Sequence, residues 1–419
     1  MCWESTAQNF KPMIIKPADR TRSVKEYYFS VKNKEIAGLN AERKASGLYP
    51  VINLGIGSPD GMRPESVIET LREVSLQKGA HRYQSYTGTP ELRGAFAKWY
   101  ERWYGVSLDP SCEIQPLMGS KEGILIITLA FVNEGDKVLI PDPGYPTYTT
   151  AASLAGARIV KYDLRHDNGW YPDFEALEKE DLSGVKIMWT NYPNMPTGAP
   201  ASAELYQKIA DFAARHKILV INDNPYSFIQ NDKPLSLLAA KGARECCLEM
   251  NSLSKAHNMS GWRVGMVGGN ADYIREILKV KSQMDSGMFR PLQLAAATAL
   301  GEGPDWFSDL NSEYARRKAA ASEIFDAIGV SYDSGSQGLF LWGRVEEDNP
   351  AYVKAASKGY AVEGKTRGEV VSDYILYNAF VFITPGFVFG HNGENYIRAS
   401  LCADVPTLKR ACGLIKNIL

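Results

Sequence analysis

One lysine follows a run of apolar residues: Cys246–Met250 leads into Ser252-Leu-Ser-Lys255, which continues to Asn258-Met-Ser-Gly-Trp-Arg263 and Gly265. Burial disfavours an ammonium and lowers its pKa. A neutral lysine amine forms a Schiff base with an aldehyde. Arg263 is a cation suited to a phosphate in the same neighbourhood, and Ser252 adds a hydroxyl donor. A capped surface turn with a solvated lysine has the same spelling. In Ile218-Leu-Val-Ile-Asn-Asp223-Asn-Pro-Tyr226 an acid ends a second apolar run. Such a carboxylate can pair with a heterocyclic nitrogen and keep it protonated, so that the ring accepts electrons from a developing carbanion. Tyr226 can donate to a ring phenolate. An aspartate that caps the following turn reads the same way.

Three further segments add parts. Gly119-Ser120-Lys121-Glu122-Gly123 enters an apolar helix, and backbone N–H groups at a glycine-assisted helix start cradle anions. It is also how an ordinary helix begins. Tyr145, in Pro143-Gly-Tyr145-Pro, follows the apolar run ending at Ile140 and can stack on a flat heterocycle. Arg398, in Tyr396-Ile-Arg398-Ala-Ser, offers a guanidinium fork to a carboxylate, or to a structural salt bridge. Together these segments supply what pyridoxal 5′-phosphate (PLP) chemistry needs: an amine, an acid for the ring nitrogen, a phosphate cradle and a carboxylate clamp.

Such residues need a scaffold. Val138–Ile140, Lys186–Thr190, Ile218–Ile221 and Cys246–Met250 are short apolar runs that read as buried strands. Amphipathic segments such as Ala203–His216 lie between them and read as helices. The alternation predicts an α/β fold, a mostly parallel sheet with helices on both faces. Ligands in such sheets sit beyond the carboxyl ends of strands, where the polar residues above fall. Ser23 reads as the cap of a long helix to about Ser46, stopped by Gly47. Its apolar positions are Val24, Tyr27, Tyr28, Val31 and Ile36. Pro64 and Glu65 open another helix through Leu76. From about Trp306 a helix is followed by short strands and loops. The expected division is an N-terminal arm with part of a small domain over 1–60, a large domain over 61–300 and a small domain over 301–419. Residues 1–12 read as a disordered extension.

The 419 residues are 45% hydrophobic and 23% charged with a formal net charge of −1, so neither nucleic acid nor an anionic membrane is expected as partner. The longest apolar stretch, Ile124–Val132, is about half of what a spanning helix needs. Six cysteines show no metal-knuckle or disulfide spacing, and Met1–Lys16 has no secretion-signal pattern, so reduced thiols in the cytoplasm and no metal are expected.

The phrases GSKEGI, PDPGYPTY, NDNPY and SLSKAHNMSGWRVG resemble the aminotransferase class I/II family of fold-type I PLP enzymes. Within it, the chain is most similar to the subgroup holding alanine-type and LL-diaminopimelate-type aminotransferases. The resemblance runs from about Asn53 to Ser400. It implies a large domain with a mostly parallel seven-stranded sheet and a smaller α+β domain. It also implies that Lys255 carries PLP and shuttles the proton, that Asp223 pairs with the pyridine nitrogen, and that Tyr226 serves the ring oxygen. Tyr145 would stack on the ring. Gly119, Ser120, Lys121 (through its backbone), Ser252 and Arg263 would hold the phosphate. Arg398 would clamp the substrate α-carboxylate near the Gly57 backbone. Tyr83, with Tyr86 as the rival register, would reach the phosphate of a partner subunit, which requires a homodimer with shared active sites.

One departure concerns Met195-Pro-Thr-Gly198, where the family reads N-P-T-G. The family's asparagine touches the ring oxygen and the substrate carboxylate, and methionine has no such donor. An unsatisfied partner would cost about 1–3 kcal/mol. Asn194, one residue away, or a water is the expected substitute. The implied reaction is ping-pong transfer of an amino group from an L-amino acid to a 2-oxo acid, 2-oxoglutarate or pyruvate. The alternative on the same scaffold is a C–S lyase or cyclopropane-forming synthase, since fold does not fix reaction. A serine acyl-transfer reading of Ser252-Leu-Ser-Lys255 with Ser372-Asp373 fails on the order of Lys365-Thr366-Arg367, which precedes the S-D pair. Arg290, before Pro291, reads first as a surface arginine at a helix start and second as a candidate reader of an acidic substrate side chain in the neighbouring subunit. Which donor and acceptor are used is not written in these motifs.

Overall fold

The computed structural model describes residues 14–419; the extension expected over residues 1–12 lies outside the described residues. The apolar runs form the strands Lys137–Asp142, Val185–Thr190, Leu219–Asp223 and Cys247–Ser252. They join Ile114–Leu117, Arg158–Asp163 and Gly265–Gly269 in one seven-stranded sheet. Across it the order of first residues is Ile114, Gly265, Cys247, Leu219, Val185, Lys137, Arg158. Gly265–Gly269 runs antiparallel to both neighbours and every other pairing is parallel. This is the α/β class and the mostly parallel seven-stranded sheet expected above.

The strands read as continuous apolar runs because both faces are covered. Val138, Ile140, Ile187, Ile221 and Leu248 pack into one core with Ile124, Ile126 and Ile127 of the helix Ser120–Phe131. Leu139, Met188, Val220 and Cys247 point to the opposite core, where the helix Ala203–His216 contributes Leu205, Ile209 and Phe212. Full burial of each of those three side chains is worth about 1.5–3 kcal/mol. Ser202 caps this helix by accepting from Leu205 N at 3.0 Å, and Lys217 closes it in the left-handed region.

The small sheet is antiparallel, in the order Thr384–Pro385, Tyr396–Ser400, Phe340–Arg344, Ser331–Tyr332. It packs with the 25-residue helix Pro304–Ile328. Ile52–Asn53 pairs in parallel with Val381–Phe382, and Ser400 N donates to Leu54 O at 2.7 Å. These two links carry Gly55 and Gly57 to the strand that bears Arg398. The helix expected from Ser23 begins five residues later and spans Tyr28–Ala45, with Ile36 its one buried residue. The Ser23 hydroxyl bonds back to Arg20 O at 2.8 Å, closing a separate turn Asp19–Arg22. Val24 and Tyr27 therefore lie outside the helix, and the chain crosses in extended form at Tyr27. The helix Glu65–Ser75 matches its expectation to one residue. Among the described residues no helix is long and apolar enough to cross a membrane.

Candidate active site

Asp223 and Ser252 are the last residues of adjacent parallel strands, and Ser120 is the first residue of the helix packed against them. They share a cavity of about 470 Å³ with Lys121, Tyr145, Tyr226, Lys255 and Arg263, closed from the other side by Gly57 and Arg398. Ligand sites beyond carboxyl ends of parallel strands are the rule for such sheets. Residues more than 270 apart in the chain meet here because the Ile52–Asn53 strand is paired with the C-terminal part.

Lys255 lies three residues past the end of its strand. Its Nζ donates to Gly57 O at 2.5 Å and stands 6.0 Å from the centre of the Tyr226 ring. Burial holds its ammonium below the ordinary lysine range; Cys402 and Asp223 oppose that effect, and the cations Arg398 and Arg263 add to it. Asp223 is 5% exposed. Tyr148 OH donates to its Oδ2 at 3.1 Å, while its Oδ1 is buried with no partner. Burial pushes this carboxyl up to about 6, against the pull of the Tyr148 hydroxyl and the Lys255 charge. Tyr148 is itself stacked on Trp189 at 5.0 Å, which fixes its donor. The buried Tyr226 phenol is pushed well above its ordinary range by burial.

The start of the helix Ser120–Phe131 is open to an anion for steric reasons. Gly119 has φ +80°, and a Cβ there would lie 2.2 Å from Arg263 Nη2. A Cβ on Gly265 would come within 2.8 Å of Asn251 O and 3.4 Å of Ser120 N. Two glycines thus let the helix start, the strand and the guanidinium converge. Ser120 Oγ is buried without a partner. Ser252 Oγ lies 2.7 Å from Ser254 Oγ and accepts from Ser254 N at 3.1 Å. Arg263 Nη1 donates to Ser260 O at 2.8 Å. The Lys121 ammonium lies 4.3 Å over the ring of Tyr27. An orphaned carboxylate oxygen for a ring nitrogen, an amine of lowered basicity and an open cationic helix start suit PLP.

Arg398 is 4% exposed, and burial lowers its guanidinium to about 10. Nη2 donates to Gly55 O at 2.8 Å and Nη1 to Met195 Sδ at 3.2 Å. The Phe340 and Phe389 rings cover it at 3.9 and 4.5 Å.

Other expected residues are placed elsewhere. Asn194 does not line the cavity, and the expectation that it replaces the missing donor is corrected. Its Nδ2 donates to Asn191 O at 3.1 Å and its Oδ1 accepts from Thr197 Oγ1 at 2.7 Å, so its amide is used in its own turn. Met195 stands on the wall instead. Tyr83 and Tyr86 are 90% and 44% exposed and lie outside the cavity of the single chain. Arg290 Nη1 donates to Gln77 Oε1 at 2.8 Å, also outside the cavity. Ser372 donates to Ile383 O and Asp373 pairs with Lys365, away from the cavity, which removes the serine acyl-transfer constellation. Among the described residues no cluster of His, Cys, Asp and Glu has metal-binding geometry.

Several lining residues escaped the sequence reading, Tyr148, Asn191, Tyr27 and Phe29 among them. Tyr148, in the helix Pro146–Leu154, stands three residues after Tyr145 at that helix's N-terminal cap, a spacing that could have flagged it. Asn191 directly follows a strand, as the turn residues near Asp223 do; its Nδ2 donates to Asp223 O. Tyr27 and Phe29 had no signal, because only the break before Tyr28 turns them to the cavity.

The family described as aminotransferase class I and II matches residues 49–415. An LL-diaminopimelate aminotransferase of Dehalococcoides mccartyi is 38% identical over 405 residues, covering 96% of this chain and 99% of that relative. One from Aquifex aeolicus is 36% identical over 403 residues, covering 96% and 98%. Among solved structures, apo-BacF from Bacillus subtilis superposes with a TM-score of 0.87 at 33% identity, covering 97% of this chain and 98% of that one. A Thermus thermophilus aspartate aminotransferase double mutant superposes at 0.84 with 23% identity over 97% and 100% of the chains, a likeness of fold alone.

Proposed function

Because the chain belongs to the aminotransferase class I and II family, and is a PLP-dependent transaminase, we propose that the cavity at the strand ends is its active site and that each side chain in it has one task. PLP supplies, when bound, an aldehyde for amines and a ring that takes up electrons from a substrate carbon. Lys255 holds it through Nζ. Asp223 meets the protonated ring nitrogen with its free Oδ1, and Tyr226 serves the ring oxygen. Tyr145 covers a ring face. Gly119, Ser120 and Lys121 present the helix start to the phosphate, with Ser252 and Arg263 beside it. Arg398 receives the substrate α-carboxylate, with the Gly57 backbone alongside.

Burial that keeps the Lys255 amine less basic also lets Nζ accept the α-proton of the substrate as general base. The covered Arg398 face keeps water from the clamp. An L-amino acid gives up its amino group and leaves as a 2-oxo acid; a second 2-oxo acid, 2-oxoglutarate or pyruvate, takes that group away. The lyase alternative has no observation in its favour. The names of the relatives make LL-diaminopimelate the first donor to try. A second copy of this chain would bring Tyr83 to the phosphate. Exposed apolar side chains support such an interface: Leu76 is 81% exposed, and Phe289, 45% exposed, has its ring 5.7 Å from His81. Free cysteines among the described residues fit a reducing cytoplasm.

The observation that carries the site assignment is the partnerless Asp223 Oδ1 in one cavity with a lysine of lowered basicity. The test is borohydride reduction of PLP-loaded protein and peptide mapping, followed by a donor panel on wild type and Arg290→Ala. Attachment at Lys255 and 2-oxo acid-dependent amino transfer are expected. Attachment at another lysine, or ammonia release without transfer, would overturn the reading. Unchanged LL-diaminopimelate, aspartate and glutamate kinetics in Arg290→Ala would remove that arginine from substrate recognition.

A further inference from the structure

We propose that Met195 is a positioning residue for the carboxylate clamp: its thioether, in hydrogen-bond contact with Arg398, sets the plane in which the guanidinium meets a substrate. This rests on the reading above that Arg398 receives the α-carboxylate.

A guanidinium carries five N–H donors in a rigid fork. In Arg398 two of the three nitrogens are engaged: Nη2 with Gly55 O at 2.8 Å and Nη1 with Met195 Sδ at 3.2 Å. Nε is buried with no partner. Its two hydrogen-bond partners are a carbonyl and a thioether, with no carboxylate between them. The rings of Phe340, Phe389 and Phe29, at 3.9, 4.5 and 5.6 Å, attract a cation but do not fix its rotation within its own plane. That rotation is set by the two acceptors, one on each terminal nitrogen. Each terminal nitrogen has two N–H groups, so one on each stays free. A carboxylate can take one bond from each.

The sulfur is itself held in place. Met195 is 5% exposed, and its backbone N donates to Asn191 Oδ1 at 2.8 Å. Asn191 donates in turn to Asp223 O. The clamp is thereby referred to the strand end that carries the acid for the coenzyme ring. A thioether is a weak acceptor, so its orienting effect is modest, about 3- to 10-fold in carboxylate affinity.

The test compares PLP-loaded wild type, Met195→Leu and Met195→Gln. Leucine keeps bulk and loses the acceptor; glutamine restores an acceptor at similar reach. Binding of succinate and 3-phenylpropanoate, which cannot react, is read from coenzyme absorbance, and KM and kcat are measured with the best donor of the wild type. Met195→Leu is expected to raise both dissociation constants and KM about 3- to 10-fold with kcat changed less than about 2-fold. Its coenzyme content should stay unchanged, and Met195→Gln should recover most of the loss. Leucine binding as tight as wild type or tighter refutes the proposal. Weak binding in both variants also refutes it, since that marks Met195 as packing alone. If wild type itself transfers no amino group, the functional reading fails; if it does and leucine is silent, only this proposal fails.

Discussion

Asp223→Asn keeps the shape of a buried side chain and removes its charge, with opposite consequences for the coenzyme-free and the PLP-loaded protein. In the coenzyme-free cavity burial lifts this carboxyl from 3.8 to about 6. That displacement corresponds to about 3 kcal/mol by which the pocket disfavours the anion at neutral pH. The folded chain retains a proton that the unfolded chain has already lost between about pH 4 and pH 6, so this group's contribution to stability falls as pH rises through that window. Coenzyme-free Asp223→Asn is therefore expected to be more stable than coenzyme-free wild type at pH 7, by up to about 3 kcal/mol, the difference vanishing near pH 4. With PLP bound the order inverts, because a carboxylate facing a cation regains the burial deficit and an amide does not. The half-reaction with an amino donor is expected to slow on the order of 10²-fold or more. Urea unfolding at several pH values with and without PLP, and single-turnover absorbance, read the two arms. A coenzyme-free variant less stable than wild type at pH 7, or a loaded variant within about tenfold of wild-type rate, would refute the reasoning.

Arg398→Lys replaces a two-pronged donor by a point charge and should lower kcat/KM about 30- to 150-fold, mostly through KM; a donor titration reads it. Gly265→Ala drives a Cβ toward Asn251 O at 2.8 Å and Ser120 N at 3.4 Å. It should cost about 1–3 kcal/mol of packing and weaken PLP retention in equilibrium dialysis. Mixing Lys255→Ala with Tyr83→Ala chains should restore up to about a quarter of wild-type activity. Each mixed dimer would regain one intact site if the phosphate contact crosses between subunits.

The layered fold was legible because buried parallel strands must be apolar on both faces, as Val138–Ile140 and Ile218–Ile221 are, and because Ala203–His216 is a clean amphipathic segment. Lys255, Asp223, Ser252 and Ser120 were legible for a related reason: each follows an apolar run or opens an apolar helix, and strand ends are where ligands sit. The errors have physical causes too. Ser23 has a capping side chain, but its hydroxyl found the carbonyl of Arg20 behind it, a competition that composition does not reveal. Asn194 was expected to turn inward, but its amide closes the turn that displays Met195. Tyr27 and Phe29 reach the cavity through a tertiary crossing of the N-terminal segment, which no local pattern encodes.

Three ionisable groups in this cavity are displaced in the direction that burial alone dictates: Asp223 upward, Lys255 and Arg398 downward. A core shaped for stability would pair them with one another or replace them by apolar residues. Instead Lys255 donates to the Gly57 carbonyl, Asp223 keeps an oxygen free, and Arg398 rests against a sulfur and aromatic rings. Kept apart, each lacks the counter-charge or covalent partner that one part of the loaded site supplies. Instability of the coenzyme-free protein and affinity for its ligands then share a source. A substitution that stabilises the coenzyme-free chain by neutralising one of these three groups must weaken the ligand step that group serves. A stabilising change in the surrounding wall, such as around the Tyr148–Trp189 stack, carries no such penalty as long as the Tyr148 hydroxyl still reaches Asp223.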